Sequence, residues 1–245
     1  EQSALPESLV VEMQRQSSIA NDTWRKAKLA NDWNMFCPEL EKNLELSRRA
    51  ADILKMVKRT ETPYDALIDI YEPGMTARHI DLLFGELRDG LISLIDKIKQ
   101  SPVQADLAVL RHKVPVDLQR RIAIDLAEII GYDVTSDKAS GRIDETEHPF
   151  TSGYYDDVRV TTHYYEDNFA SSVFSVLHEI GHALYEMEIN PEWMFQPVGE
   201  ACSTGIHESQ SRLVENIIGR SAEFWVYFLP RLKEITGSRL PEIDL

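Results

Sequence analysis

The stretch from Ser171 to Met187, SSVFSVLHEIGHALYEM, constrains this chain more than any other because its pattern fits only a helix with two different faces. Each helical residue advances about 100° around the axis, so His178 and His182 share one face, one turn apart. Val173, Val176, Leu177, Ile180, Leu184 and Met187 form an apolar stripe roughly opposite. His178-Glu179-x-x-His182 thus lets two imidazoles grip one metal ion and leaves Glu179 free as a base, the spacing of a zinc hydrolase. Two histidines and a glutamate on a mostly apolar helix also occur as hydrogen-bonded core residues. A third ligand decides between the two readings.

Asn190, Pro191 and Pro197 break the chain, and a second helix is expected from about Val198 to Ile218, with Val198, Cys202, Ile206, Leu213 and Ile217 as its apolar stripe. It offers Glu200, His207, Glu208 and Glu215 as ligands. A catalytic zinc takes three protein ligands and keeps a fourth position for water. Glu208 fits best, 26 residues beyond His182 and off the stripe, with Arg212 and Glu215 on the same face as candidates to orient it and ordinary i, i+3 and i, i+4 charge pairing as the more common alternative.

The first hundred residues read as helices. Ser8 to Asn31 and Leu40 to Arg59 carry helical spacing on either side of a break expected at Phe36-Cys37-Pro38, and an antiparallel pair is their natural packing. A short helix is expected over Tyr64 to Tyr71. Thr76 is placed to cap a long one from Ala77 to about Gln100, whose buried side would be Ile80, Leu83, Phe84, Leu87, Leu91, Leu94 and Ile98. Residues 1–100 are therefore expected to be a helical region and 101–245 the metal-binding one. In the latter, Pro115 to Ile130 reads as a helix ended by Gly131, and 133–154 as a polar loop holding His148-Pro149-Phe150. Asp157 to Tyr165 alternates as a strand, suited to a peptide-binding edge, with an ordinary half-buried strand as the alternative.

With 245 residues and 43% hydrophobic content the chain can bury a sizeable core. Its 26 basic against 41 acidic residues, a formal charge of -15, repel nucleic-acid backbones and anionic membranes, so neither is expected as a partner. Apolar runs fall short of the roughly 18 residues of a bilayer span. Cys37 and Cys202 have no disulfide-like or metal-like spacing, which makes a reducing cytoplasm the expected location.

Five segments together carry a family resemblance: YDALIDIYEPGMT at 64–76, HPF at 148–150, DVRVT at 157–161, HEIGHALYE at 178–186 and GIHESQSRLVEN at 205–216. In order and spacing they resemble the thermostable carboxypeptidase family named after carboxypeptidase Taq. The resemblance implies a mainly α, groove-shaped, zincin-like metallopeptidase with a small β-sheet beside the metal helix. It implies His178, His182 and Glu208 as ligands of Zn²⁺, with Co²⁺ or another divalent ion as substitutes, and Glu179 as the catalytic base. It further implies a peptide with a free C-terminus as substrate and a homodimer at the family's full length. The family's later motifs, IRYE-like, DxHW-like and GYFPxY-like, do not occur here, so the chain is expected to be an N-terminal half, inactive or nearly so alone.

A carboxypeptidase must hold a free carboxylate, and bidentate arginine suits that task. Arg159, with Asp157 beside it, is the candidate; an ordinary strand-face ion pair between the two is the alternative. His148 is a candidate donor to substrate or oxyanion, with loop packing as its alternative. Two rival classes remain open: another zinc peptidase, such as an aminopeptidase or oligopeptidase, and a non-enzymatic helical protein with a chance HExxH.

Overall fold

Helix ends in the first unit are set by particular residues. Helix α1 (Glu7–Ala30) stops at Asn31, whose φ of 51° is left-handed, a conformation asparagine tolerates. Helix α2 (Trp33–Lys58) starts at once because the Asp32 carboxylate accepts from the Met35 N–H. The break expected at Phe36-Cys37-Pro38 is therefore misplaced, and Pro38 lies inside α2. A proline there forfeits one main-chain hydrogen bond, whereas Asn31 and Asp32 change the chain's direction outright. The two helices pair antiparallel around Leu9, Leu46 and Ala50, with Arg49 to Glu12 at 3.1 Å and Gln16 to Glu39 at 2.6 Å across them.

Helix α3 (Pro63–Tyr71) begins with a reciprocal capping box between Thr62 and Asp65. The buried Asp65 also accepts from the Ala77 N–H at 2.8 Å, fixing the start of α4 (Ala77–Gln100), which Thr76 caps as expected. The buried side foreseen for α4 is not found: none of its residues is buried, and Leu83 is 61% exposed. Periodicity marks a face able to be buried, but the nine-residue α3 on which α4 packs is too short to cover a 24-residue helix.

The computed structural model describes residues 4–237 and Leu240, in two units, Glu1–Gln100 and Ser101–Leu245. In the second, α5 (Val116–Ile130) ends at Gly131, whose φ of 96° needs glycine. The polar loop expected over 133–154 contains two strands, β1 (Gly141–Glu145) and β2 (Phe150–Tyr154). Both are short and have no buried residue, so neither carries the apolar alternation that reveals a strand. They flank β3 (Asp157–Thr162) in the order β1-β3-β2, parallel on one side and antiparallel on the other. β3 is thus the central strand and not the free edge foreseen for it.

Val158 and Val160 of β3 are fully buried against α6 (Phe169–Met187), which contributes Val173, Val176, Leu177 and Ile180 to the same core. The helix expected from Val198 starts only at Thr204, where Ser203 accepts from the Ile206 N–H. Before it lie two 3₁₀ turns, Pro191–Trp193 and Pro197–Gly199. Helix α7 (Thr204–Arg212) then widens into a π-helical turn, Leu213–Ile218. The foreseen stripe is not a buried one: Val198 and Cys202 precede the helix, Ile206 is exposed on its α-helical part, and beyond Arg212 the π turn breaks the 100° phase and leaves Ile217 exposed. Helix α8 (Ala222–Thr236), which the sequence reading did not place, is capped by Ser221 and closes the core with Phe224, Phe228 and Leu232. Apart from Leu240, the terminal RLPEIDL lies outside the described residues. Among these, no helix is long and apolar enough to cross a membrane.

Candidate metal centre

Helix α6 turns its apolar stripe into the core and its histidines toward α7. The two helices approach closely at Gly181, where a Cβ would lie 2.5 Å from the Gln210 carbonyl oxygen and 2.6 Å from the Ser211 Cα. That proximity lets Glu208 reach across. Its Oε2 stands 3.6 Å from His178 Nε2 and 3.4 Å from His182 Nε2, and one ligand atom from each residue lies within 4.8 Å of the others. Two atoms each about 2.0–2.2 Å from one ion at the tetrahedral angle are about 3.3–3.6 Å apart. The two histidine–glutamate separations match that span, and the His₂Glu donor set suits a divalent ion such as zinc.

The remaining polar atoms of these candidate ligands are engaged. His178 Nδ1 donates to Glu215 Oε2 at 2.9 Å, and Glu215 accepts from Arg220 at 2.7 Å and Arg212 at 3.3 Å. Arg212 Nε also donates to Glu208 Oε1 at 2.8 Å, while Oε2 faces the histidines and accepts from the Ser211 hydroxyl at 3.1 Å. His182 Nδ1 lies 2.6 Å from His207 Nδ1, and His207 Nε2 2.8 Å from Glu186 Oε1. Glu215 and His207 thus stand behind the candidate ligand histidines, and Glu200 is exposed. Burial works to raise the Glu208 carboxyl, but His178, Ser211 and Arg212 outweigh it and hold it below the usual carboxylate range. Burial, followed by His207 and His178, pushes the His182 imidazolium down to about 4, so the ring is a neutral donor at pH 7.

Glu179 is buried on α6, and its Oε2 is 2.7 Å from the Thr151 hydroxyl on β2. Burial raises its carboxyl above the usual range, against the Thr151 hydrogen bond and the nearby His178 and His148. A carboxylate shifted this way is a better proton acceptor near neutrality.

These observations gain a frame from known proteins. The sequence profile of the carboxypeptidase Taq (M32) metallopeptidase family matches residues 1–245. The chain belongs to that family. Thermostable carboxypeptidase 1 of Thermus thermophilus is 43% identical over 242 residues, which cover 96% of this chain and 47% of that protein. Carboxypeptidase 1 of Bacillus subtilis is 35% identical over 246 residues, 100% of this chain and 48% of the relative. The crystal structure of BsuCP superposes with a TM-score of 0.91 at 34% identity, covering 98% of this chain and 47% of that one. The chain spans about half the length of the curated relatives it matches.

Within this M32 chain, Asp157 and Arg159 form a bidentate pair at 2.8 and 2.9 Å. They project from the face of β3 opposite Val158 and Val160, away from α6, so Arg159 already has its carboxylate partner. His148 is exposed, with Nδ1 2.8 Å from the Pro149 carbonyl oxygen. A cavity of about 500 Å³ opens beside His178 and Glu179, lined also by Leu110, Phe174, Glu215 and Arg220. Thr151, Glu186 and Gly181 went unread in the sequence. Gly181 alone left a signal, since glycine in a helix interior costs about 0.5–1 kcal/mol relative to alanine and is retained where backbones touch.

Proposed function

We propose that this chain supplies the metal centre and general base of a zinc metallocarboxypeptidase that releases C-terminal amino acids from peptides. The observation that carries the reading is the convergence of His178 Nε2, His182 Nε2 and Glu208 Oε2 beside a buried glutamate that is not one of the ligands. His178, His182 and Glu208 would hold a divalent ion, which when bound would lower the pKa of a water and polarise a carbonyl. Glu179 would hold and move the proton of the hydrolysis at its carboxylate, passing it to the leaving amine, while Thr151 keeps that carboxylate aimed. Arg212 and Glu215 hold Glu208 and His178 so that their metal-facing atoms stay together. The cavity beside His178 and Glu179 receives the substrate residue next to the scissile bond.

The chain should bind one zinc ion per molecule, and His178→Ala should abolish binding. Joined to the second half of the Thermus thermophilus relative, it should release C-terminal residues from a peptide. A chain that binds no divalent ion, or a folded, zinc-loaded chimera that cleaves only at N-termini, would overturn the reading.

A further inference from the structure

The two candidate ligand histidines are backed differently. His178 donates directly to the carboxylate of Glu215. His182 meets another imidazole, and the carboxylate lies one group further out, on Glu186. The sequence builds this arrangement from neighbours. Glu186 follows His182 by four residues on α6, so both lie on one face. His207 immediately precedes Glu208 on α7, so one helix brings a ligand and the group behind another ligand in consecutive positions.

We propose that His207 and Glu186 are a positioning pair that fixes the tautomer of His182 and so selects Nε2 as its metal-facing nitrogen. The proton positions follow from chemistry. An ionised carboxylate only accepts, so Glu186 requires the His207 proton on Nε2. With the ring proton of His207 held on Nε2, its Nδ1 offers a lone pair, and at 2.6 Å that acceptor calls for the His182 proton on Nδ1. The lone pair of His182 is left on Nε2, the atom 3.4 Å from Glu208 Oε2. In water neutral imidazole prefers its proton on Nε2, the arrangement that would block the ligand atom. The pair reverses that preference before any ion arrives. All three groups are less than one-quarter exposed, which limits competition from water.

The inference rests on the metal-centre reading, but its test is separable because the tautomer is read in the metal-free chain. In ¹⁵N-histidine-labelled protein, long-range ¹H–¹⁵N correlation should show His182 protonated at Nδ1. His207→Phe keeps a ring but removes the acceptor, and should move the His182 proton largely to Nε2 and weaken zinc binding about 10–100-fold. His207→Asn places an amide oxygen where Nδ1 stood, and should keep the native tautomer with zinc affinity within about threefold. Glu186→Leu acts from the other end and frees the His207 tautomer, so it should weaken zinc binding severalfold even if His207→Phe does not fold. The proposal is overturned if the unmodified chain carries the His182 proton on Nε2. It is equally overturned if His207→Phe or Glu186→Leu leaves tautomer and affinity unchanged, or if His207→Asn behaves like His207→Phe. A native Nδ1–H tautomer in a chain that binds no zinc would support the pair and sink the metal-centre reading alone.

Discussion

Replacing Gly181 by alanine sets two opposed effects against each other. Helix propensity alone favours alanine by about 1 kcal/mol in a helix interior, so an isolated α6 would be stabilised. In the folded chain the added methyl meets the Gln210 carbonyl oxygen at 2.5 Å and the Ser211 Cα at 2.6 Å, both backbone atoms that cannot rotate aside. Relieving the overlap requires α6 and α7 to part by about 1 Å, to ordinary contact distances. Overpacking of this kind costs about 1–3 kcal/mol, so the net should be a loss of roughly 0–2 kcal/mol instead of a gain. The larger effect falls on the metal site. Glu208 rides on α7, and a shift of about 1 Å stretches its 3.4 and 3.6 Å separations from the histidines beyond what one ion spans. Zinc affinity, measured by chelator competition, should fall at least tenfold, while urea unfolding of the metal-free chain shows the small loss. A Gly181→Ala chain that is about 1 kcal/mol more stable and binds zinc as before would refute the close-approach argument.

Glu179→Gln in the chimeric peptidase should reduce hydrolysis by several orders of magnitude with zinc content unchanged by elemental analysis, since it removes the proton acceptor and keeps the shape. Thr151→Val should leave zinc affinity intact and lower the hydrolysis rate roughly tenfold, because it removes only the group that aims Glu179. The Asp65 carboxyl lies below its ordinary range because the Ala77 N–H and then Thr62 bond to its ionised form, which outweighs burial. With the folded pKa depressed, its stabilisation is present above the unfolded pKa of about 4 and fades as pH falls through the folded value. Hydrogen exchange at the Ala77 amide should accordingly be faster in Asp65→Ala at pH 7, by a difference that shrinks on acidification. Leu83→Lys and Leu91→Lys on α4 should each change stability by less than about 0.5 kcal/mol in urea titrations, because neither site is buried.

What the sequence disclosed depended on whether a residue's role was local. The α6 pattern placed His178, Glu179 and His182 on a helix because helical phase is a property of neighbours. Gly131 and Thr76 announced their helix ends for the same reason. The strand at 141–145 was hidden because its parallel pairing with β3 is not local, and the strand at 150–154, although a hairpin neighbour of β3, because FTSGY carries no apolar alternation. With them went Thr151, whose role exists only once β2 lies over α6. On α7 the π-helical turn defeated an apolar stripe counted at 100° per residue. The burial foreseen for α4 failed differently, since the periodicity is real but the nine-residue α3 on which α4 packs is too short to cover it.

Charge at the centre leads to a final expectation about metal removal. Glu179, Glu186, Glu208 and Glu215 carry four formal negative charges close together, and Arg212 and Arg220 offset two. Counting these carboxylates and guanidiniums alone, the cluster is two positive charges short, the charge of one divalent ion. Without it, Glu208 helps to raise the Glu179 carboxyl, a sign that the groups repel. An ion bound only by the folded chain at 1,000 times its Kd stabilises by about 4 kcal/mol. For a unit of this size that is roughly 10 °C in the midpoint of unfolding. Calorimetry with zinc and with chelator should therefore move the transition of the second unit by about that amount and leave the helices of the first unit unmoved. Glu208→Gln, which removes one ligand charge, should lose most of the shift. Equal shifts in both units, or a full shift in the glutamine variant, would mean that zinc acts elsewhere on this acidic chain and that the charge count at the centre does not govern its stability.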